Sequence, residues 1–367
     1  MSGIWHGWRR LAAGAAGALA LVLGASAPAT AETGVIRIGV ATAGGGDPIT
    51  WGGSPGSVAR INRWVEEAFA ASGVKVEWLF FKGAGPAVNE ALSNRQIDFA
   101  YQGDLPAVVG RANGLDTRLL LVSGARNNLY VAVPAASSLK SVDDLKGRTV
   151  ALFRGTNGHL VAINVLAAHK LAERDLKIVN LDTGSAQAAI VSNGVEATFG
   201  GIEYFKLRDQ GLVKLIYSTQ KESPAYTRQA ALLVRNAFAQ ENPAATQRVV
   251  DVFVRAARWA SDEGNRDALF KLWALSGIPY DSFKAEFQDQ DLKARNSPLV
   301  DPFIIGRYKA VVADALKQRL IRREVSVDDW FDTRFLAQAL KNQGLANYWT
   351  RYAVDGVTTI ANNTDSQ

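Results

Sequence analysis

The stretch Leu92-Ser93-Asn94-Arg95-Gln96-Ile97-Asp98-Phe99-Ala100, closing on Gly103-Asp104-Leu105-Pro106, returns about a hundred residues later in the same chain. Its second copy reads Val191-Ser192-Asn193-Gly194-Val195-Glu196-Ala197-Thr198-Phe199 and closes on Gly201-Ile202-Glu203. In each copy an apolar-periodic segment ends at Ser-Asn and a short strand carrying one acid follows. Five residues past that acid, a glycine turn opens a new helix. A unit repeated in this form predicts two lobes on one plan. Each lobe aims a glycine-opened helix start from the carboxyl end of a strand, where unpaired amides collect. Two such ends facing one another make a cleft suited to a small anion.

Working outward, runs rich in β-branched residues predict strands over 35–40, 74–81, 97–101 and 119–123. A second lobe takes strands over 129–133, 149–153 and 178–181, and 230–234 returns to the first. Helices alternate with them. One covers 58–72 and stops at Gly73, and another opens at Gly83-Ala84-Gly85-Pro86 with proline near its first turn. Ser141-Val142-Asp143-Asp144 forms a capping box for a helix ended by Gly147, and Gly184-Ser185 starts a helix reaching Ser192. From Asn242 the pattern is helical over 243–261, 266–276, 300–318 and 328–340, the last capped by Ser326. The expectation is an α/β fold: lobe 1 from 32–123 and 230–350, lobe 2 from 124–229, each a doubly wound sheet, with a helical C-terminal region. Residues 351–367, polar toward their end, are expected to lack order.

Residues 1–31 read as a secretory leader. Arg9 and Arg10 give a basic start, residues 11–23 an apolar core, and Ala29-Thr30-Ala31 a cleavage site after Ala31. That core is shorter than the roughly 20 residues a membrane span needs, so an exported chain without an anchor is expected, in the periplasm. Cleavage leaves 336 of 367 residues and takes the basic residues from 41 to 39 against 35 acids, a formal charge of +4. No Lys/Arg run accompanies this mild excess, which excludes nucleic acid as a partner. With no cysteine, the fold must rest on its core without disulfides, and lipid attachment through a cysteine is ruled out.

The turn Arg154-Gly155-Thr156-Asn157-Gly158-His159 is the strongest ligand candidate, because free amides sit there beside the Thr156 hydroxyl. Thr156 has a second reading as the cap of its own helix. Asp104 reads either as a cap or as a ligand group beside Gly103, and Glu203 either as a partner for a ligand hydroxyl or ammonium or as a solvated acid. Ser123, ahead of Gly124, is a hydroxyl donor or a hinge serine, and Trp51 and Tyr204 are candidate aromatic walls. No catalytic motif, cofactor pattern or metal-ligand spacing occurs. Outside the leader the only histidines are His159 and His169, and His159 reads as a donor or packing group rather than a base.

The first repeat, 91–106, resembles the first-lobe signature of periplasmic binding proteins of the aliphatic sulfonate, taurine and nitrate ABC importers. Ser138-Leu139-Lys140-Ser141-Val142-Asp143-Asp144-Leu145-Lys146-Gly147-Arg148-Thr149-Val150-Ala151 is similar to that family's second-lobe entry, and 154–159 to its ligand-binding turn. The resemblance, over roughly 35–340, implies a type II two-lobed receptor, a monomer that closes on its guest and hands it to a membrane permease. It implies ligand contacts at Gly103, Asp104, Ser123, Thr156 to His159 and around Glu203. Two departures stand out. Ile202-Glu203-Tyr204 replaces a tryptophan, an acid and a proline, and a long loop from Gly44 through Trp51 to Pro55 reshapes the pocket mouth. The expected cargo is a small organosulfonate, alkyl or taurine-like, held by backbone amides and hydroxyls rather than by a buried Arg or Lys. The alternatives are nitrate, bicarbonate or a thiamine-pyrimidine precursor as cargo, an enzyme on the same scaffold, or a sensor presenting its loaded lobe to a receptor kinase.

Overall fold

The computed structural model describes residues 34–361, so the leader and its cleavage site lie outside the described residues. The strands in chain order are β1 (Val35–Val40), β2 (Lys75–Phe80), β3 (Phe99–Gly103), β4 (Thr117–Val122), β5 (Tyr130–Pro134) and β6 (Thr149–Leu152). They continue as β7 (Lys177–Asn180), β8 (Ala197–Gly200), β9 (Val213–Ser218), β10 (Ala230–Arg235), β11 (Arg351–Tyr352) and β12 (Thr359–Ile360).

The first sheet has the order β2-β1-β3-β10-β4 and the second β7-β6-β8-β5-β9. In the first, β1 lies parallel to β2 and β3, and β10 runs antiparallel to β3 and β4. In the second, β6 lies parallel to β7 and β8, and β5 runs antiparallel to β8 and β9. The two orders coincide when β6, β7, β8 and β9 stand for β1, β2, β3 and β4, and β5 for β10. The antiparallel member of each sheet is therefore the strand that has just crossed from the other lobe.

The repeated acid now has a structural meaning. Asp98 accepts from the Arg37 amide through Oδ2 at 2.9 Å, and its own amide donates to the Arg37 carbonyl at 2.9 Å. Glu196 does the same in the second lobe, accepting from the Thr149 amide at 2.8 Å and donating to the Thr149 carbonyl at 2.8 Å. Each acid also meets an arginine, Arg235 at 2.6 Å and Arg148 at 3.1 Å. In both copies one carboxylate fastens the lobe's third strand to the start of its first. The Thr149 amide is the main reason the Glu196 carboxyl sits below its ordinary value.

The C-terminal helices cover both faces of the first sheet. The helix Pro243–Ala260 buries Val249, Val250 and Phe253 in one cluster with Ile36, Ile38 and Phe99. The helix Pro302–Lys317 buries Phe303, Tyr308 and Val311 with Leu119 and Leu233. At about 1.5–3 kcal/mol for each large apolar side chain, these helices belong to the lobe's core. The second lobe's main core is smaller and joins Val131, Val150 and Leu152 to Val161 and Val165 of the helix Asn157–Ala168.

Several expected elements differ. The helix expected over 58–72 breaks at Arg63, whose φ of 57° is left-handed, into Pro55–Ile61 and Trp64–Phe69. Asn62 ends the first piece by turning its side-chain amide back onto the Val58 carbonyl at 3.0 Å. The last helix begins at Arg334 rather than 328, because Trp330 is buried and its carbonyl accepts from the Leu119 amide at 3.1 Å. That segment pairs with β4 instead of coiling. Strand β9 and the helices Tyr280–Glu286 and Leu292–Asn296 were not expected. The tail, expected to lack order, forms the β11–β12 hairpin, tied down where the Tyr352 amide donates to Asp301 Oδ2 at 2.9 Å. Residues 362–367 lie outside the described ones. Among the described residues no helix is long and apolar enough to cross a membrane.

Candidate functional site

A cavity of about 600 Å³ opens where the carboxyl ends of β1, β3, β6 and β8 meet, lined by both lobes and by the crossover segments. The lobes are apposed across it. A Cβ built on Gly103 falls 2.7 Å from Asn157 Cβ, Cγ and Nδ2, and one on Gly155 falls 2.9 Å from Pro86 Cγ. Asn157 Nδ2 donates to the Gln229 carbonyl at 3.3 Å. Glycine at 103 is what allows this approach. The helix Asn157–Ala168 presents Asn157 and Gly158 of its first turn to the cavity, so its positive end faces the hollow.

Seven of the expected ligand residues line this cavity: Trp51, Gly103, Thr156, Asn157, Gly158, Glu203 and Tyr204. Several of their polar atoms already have partners. Thr156 Oγ1 donates to the Phe153 carbonyl at 2.8 Å and accepts from the His159 amide at 3.4 Å, so the hydroxyl caps its own helix. Glu203 Oε1 accepts from the Gly201 amide at 2.8 Å. Tyr204 shares a 2.9 Å hydrogen bond with Thr198 Oγ1, and burial followed by the Glu203 charge raises its phenol. Trp51 packs its ring 5.1 Å from that of Tyr101 and 5.9 Å from that of Trp78.

Four expected residues stand behind the wall instead. Asp104 accepts from the Leu105 amide at 2.7 Å and from the Gln229 amide at 3.1 Å, while its own amide donates to the Gln229 carbonyl at 3.1 Å. The carboxylate thus clasps the returning crossover, and burial pushes it up to about 6. Ser123 Oγ accepts from the Gly56 amide at 3.2 Å and meets Ser54 Oγ at 3.2 Å, fixing the start of the helix Pro55–Ile61. The Gly155 amide donates to His159 Nδ1 at 3.2 Å, which leaves the ring proton on Nε2, facing Glu173 at 3.4 Å. That contact holds the Glu173 carboxyl below its ordinary value. His159 therefore braces the turn and is not placed as a base.

A cation that the sequence reading did not single out, the half-buried Arg228, also lines the cavity. The crossover segments pair through Asn127 and Arg228, which exchange backbone hydrogen bonds of 3.0 and 2.9 Å. From that position the guanidinium reaches between the second-lobe turns. Nη2 lies 2.8 Å from a Cβ built on Gly201, and Nη1 lies 3.8 Å from one on Gly158. Nη2 donates to the Asn128 carbonyl, but Nε is buried with no hydrogen-bond partner among the described residues. Thr50 Oγ1 and Gln102 Oε1, also on the cavity wall, are buried without partners too.

The wall carries four cations, Lys82, Lys206, Arg228 and Arg295, and three acids, Asp182, Glu203 and Glu286. Arg295 pairs with Glu286 at 3.0 Å, and Lys82 lies 3.6 Å from Asp182. The balance favours an anion. No sequence motif surrounds Arg228; it becomes visible only when the crossover segments are brought together. Among the described residues no group of His, Cys, Asp or Glu is placed to hold a metal ion.

A family model described as NMT1/THI5 like matches residues 68–265. A protein of Bacillus subtilis (strain 168), named as a candidate aliphatic sulfonates-binding protein, is 27% identical over 303 residues, 78% of this chain and 85% of its own length. The crystal structure of SsuA from Methylobacillus flagellatus KT, described as a candidate periplasmic sulfonate-binding protein of a sulfonate ABC transporter, is 30% identical with a TM-score of 0.74. That comparison covers 87% of this chain and 97% of the other. The desulfurization enzyme DszB shares the fold alone, at 16% identity and a TM-score of 0.62 over 85% of this chain and all of its own.

Proposed function

From membership of the NMT1/THI5-like family, to which this chain belongs, we propose that it is the periplasmic solute-binding component of an ABC importer. It captures a small organosulfonate between its lobes and delivers it to the permease. The observation that carries this reading is Arg228, whose guanidinium lines the cavity between the Gly158 and Gly201 turns of the second lobe. The names of the relatives support the sulfonate class, and the leader supports export.

A sulfonate remains ionised at any physiological pH and offers three acceptor oxygens with no proton to donate. The Arg228 guanidinium and the first turn at Asn157–Gly158 supply donors, and charge-assisted bonds of this kind are the strong ones. Because these donors come from the second lobe and the crossover while the first lobe supplies the facing wall, only the apposed arrangement encloses the guest. The guest therefore stabilises closure by its differential affinity. A closed form of this kind gives the permease a shape that distinguishes loaded from empty receptor. Both walls come from one chain, so a monomer suffices. No reaction is assigned, since His159 is committed to Gly155 and Glu173. Nitrate and bicarbonate lack a body to occupy 600 Å³.

Titration calorimetry with ethanesulfonate, nitrate and bicarbonate tests the reading. Saturable heat with ethanesulfonate and none with the inorganic anions is expected; the reverse order rejects it.

A further inference from the structure

Arg228 serves an anion best when its guanidinium is already aimed, and we infer that Thr219 and Glu286 are the positioning residues that aim it. They act through one peptide, Asn128–Leu129. This rests on the sulfonate reading above and deepens it.

The Arg228 side chain makes a single hydrogen bond to the protein among the described residues, from Nη2 to the Asn128 carbonyl. That carbonyl lies between the isolated bridge at Asn127 and the start of β5 at Tyr130, outside any strand. No ladder sets its direction, so other bonds must. The Leu129 amide, at the opposite edge of the same rigid plane, donates to Thr219 Oγ1 at 2.9 Å. The Thr219 amide in turn donates to the Leu129 carbonyl at 3.0 Å. A hydroxyl on one side of the peptide therefore decides where the carbonyl on the other side points.

Glu286 grips the preceding residue. Asn128 Nδ2 donates to Glu286 Oε1 at 2.9 Å, and the Asn128 amide donates to the same oxygen at 3.4 Å. Thr219, Asn128 and Glu286 are 1%, 2% and 4% exposed, so water does not compete for these bonds. Glu286 is itself anchored by Arg295 Nη2 at 3.0 Å and by the Tyr130 hydroxyl. The carboxylate lines the cavity, where a free negative charge would oppose an anion. Its pairing with Arg295 counters that charge, and its bonds to Asn128 explain why an acid stands there.

Thr219 does not line the cavity, so a change there reaches the guest only through the protein. An arginine that must find its place on binding gives up the freedom of a long side chain. One already held does not, a difference of about two- to tenfold in affinity.

The test is calorimetry with ethanesulfonate on the full exported chain, using Thr219→Val, Thr219→Ser and Asn128→Ala, each alone and combined with Arg228→Gln. Thr219→Val keeps the shape and removes the acceptor, and should weaken binding about fivefold. Thr219→Ser keeps the hydroxyl and should stay within about twofold of the wild type. Asn128→Ala frees residue 128 from Glu286 while leaving the Glu286–Arg295 pair intact, and should weaken binding about threefold. With Arg228→Gln present there is no guanidinium to aim, so Thr219→Val and Asn128→Ala should each change affinity by less than about twofold. A Thr219→Val variant that binds like the wild type overturns the inference. So does an equal loss in Thr219→Val and Thr219→Ser, or a loss of the same size with and without Arg228. In these cases the wild type still binds and the sulfonate reading stands, whereas no heat from the wild type overturns both. Thermal midpoints report folding, and where Thr219→Val does not fold, Asn128→Ala in the two backgrounds decides.

Discussion

Replacing Gly103 by alanine puts a methyl group where the lobes meet. The new carbon would lie 2.7 Å from three atoms of Asn157, well inside the 3.4 Å at which ordinary contact begins. Asn157 cannot simply swing aside, because its Cβ is one of the three atoms and is carried by the helix Asn157–Ala168. Relief requires the lobes to part by several tenths of an ångström, stretching the 3.3 Å bond from Asn157 to the Gln229 carbonyl. Overpacking of this kind costs about 1–3 kcal/mol. The cost falls on the apposed form alone, so sulfonate affinity should drop by roughly 5- to 150-fold. Calorimetry gives the affinity, and small-angle scattering with and without ligand reports whether the chain still compacts. Gly34→Ala, where nothing lies within 4 Å, is the neutral control. Unchanged affinity and unchanged compaction in Gly103→Ala would refute the view that residues 103 and 157 meet when the guest is held.

Arg228→Gln removes the charge-assisted donor and should weaken ethanesulfonate binding by about 1.5–3 kcal/mol, measured by calorimetry. Arg228→Lys should not restore it, because an ammonium lacks the planar fork whose Nη1 and Nη2 reach the two turns. Asp98→Ala deletes a buried carboxylate that serves both the Arg37 amide and Arg235, and urea denaturation should show a loss of about 3–5 kcal/mol with little change in affinity. Glu196→Ala, its more exposed counterpart, should cost less. Asp104 carries a pH signature. Burial raises its carboxyl from 3.8 to about 6, so the folded chain keeps a proton that the unfolded chain has lost between those values. Its contribution to stability is complete below pH 3.8 and is lost as the pH rises through 6. Thermal midpoints of the wild type should therefore improve relative to Asp104→Asn as the pH falls from about 7.5 to about 4.5; a constant difference contradicts the assignment.

The repeat around Asp98 and Glu196 was legible because its signals are local: a helix end, one acid and a glycine at fixed spacing. The purpose of the acid was not, since its partners at Arg37 and Thr149 are 61 and 47 residues away. The turns at 103 and 156–158 were likewise readable as cleft-facing from their glycines. Which side chains behind those glycines reach the hollow depends on tertiary bonds, and Asp104, Ser123 and His159 are each drawn away by a backbone amide. Arg228 carried no local signal, as its position depends on the pairing with Asn127 across the crossover. Trp330 shows the same limit for secondary structure. A segment of helical composition pairs with β4 because its indole is buried and bonded to Thr117 at 3.2 Å.

A crystal structure of the protein grown with ethanesulfonate bears most directly on the central claim. A sulfonate oxygen within about 3.2 Å of an Arg228 guanidinium nitrogen, with the other oxygens toward the turn at 157–158, is the expected result. A sulfonate bound elsewhere, out of reach of Arg228, would contradict it.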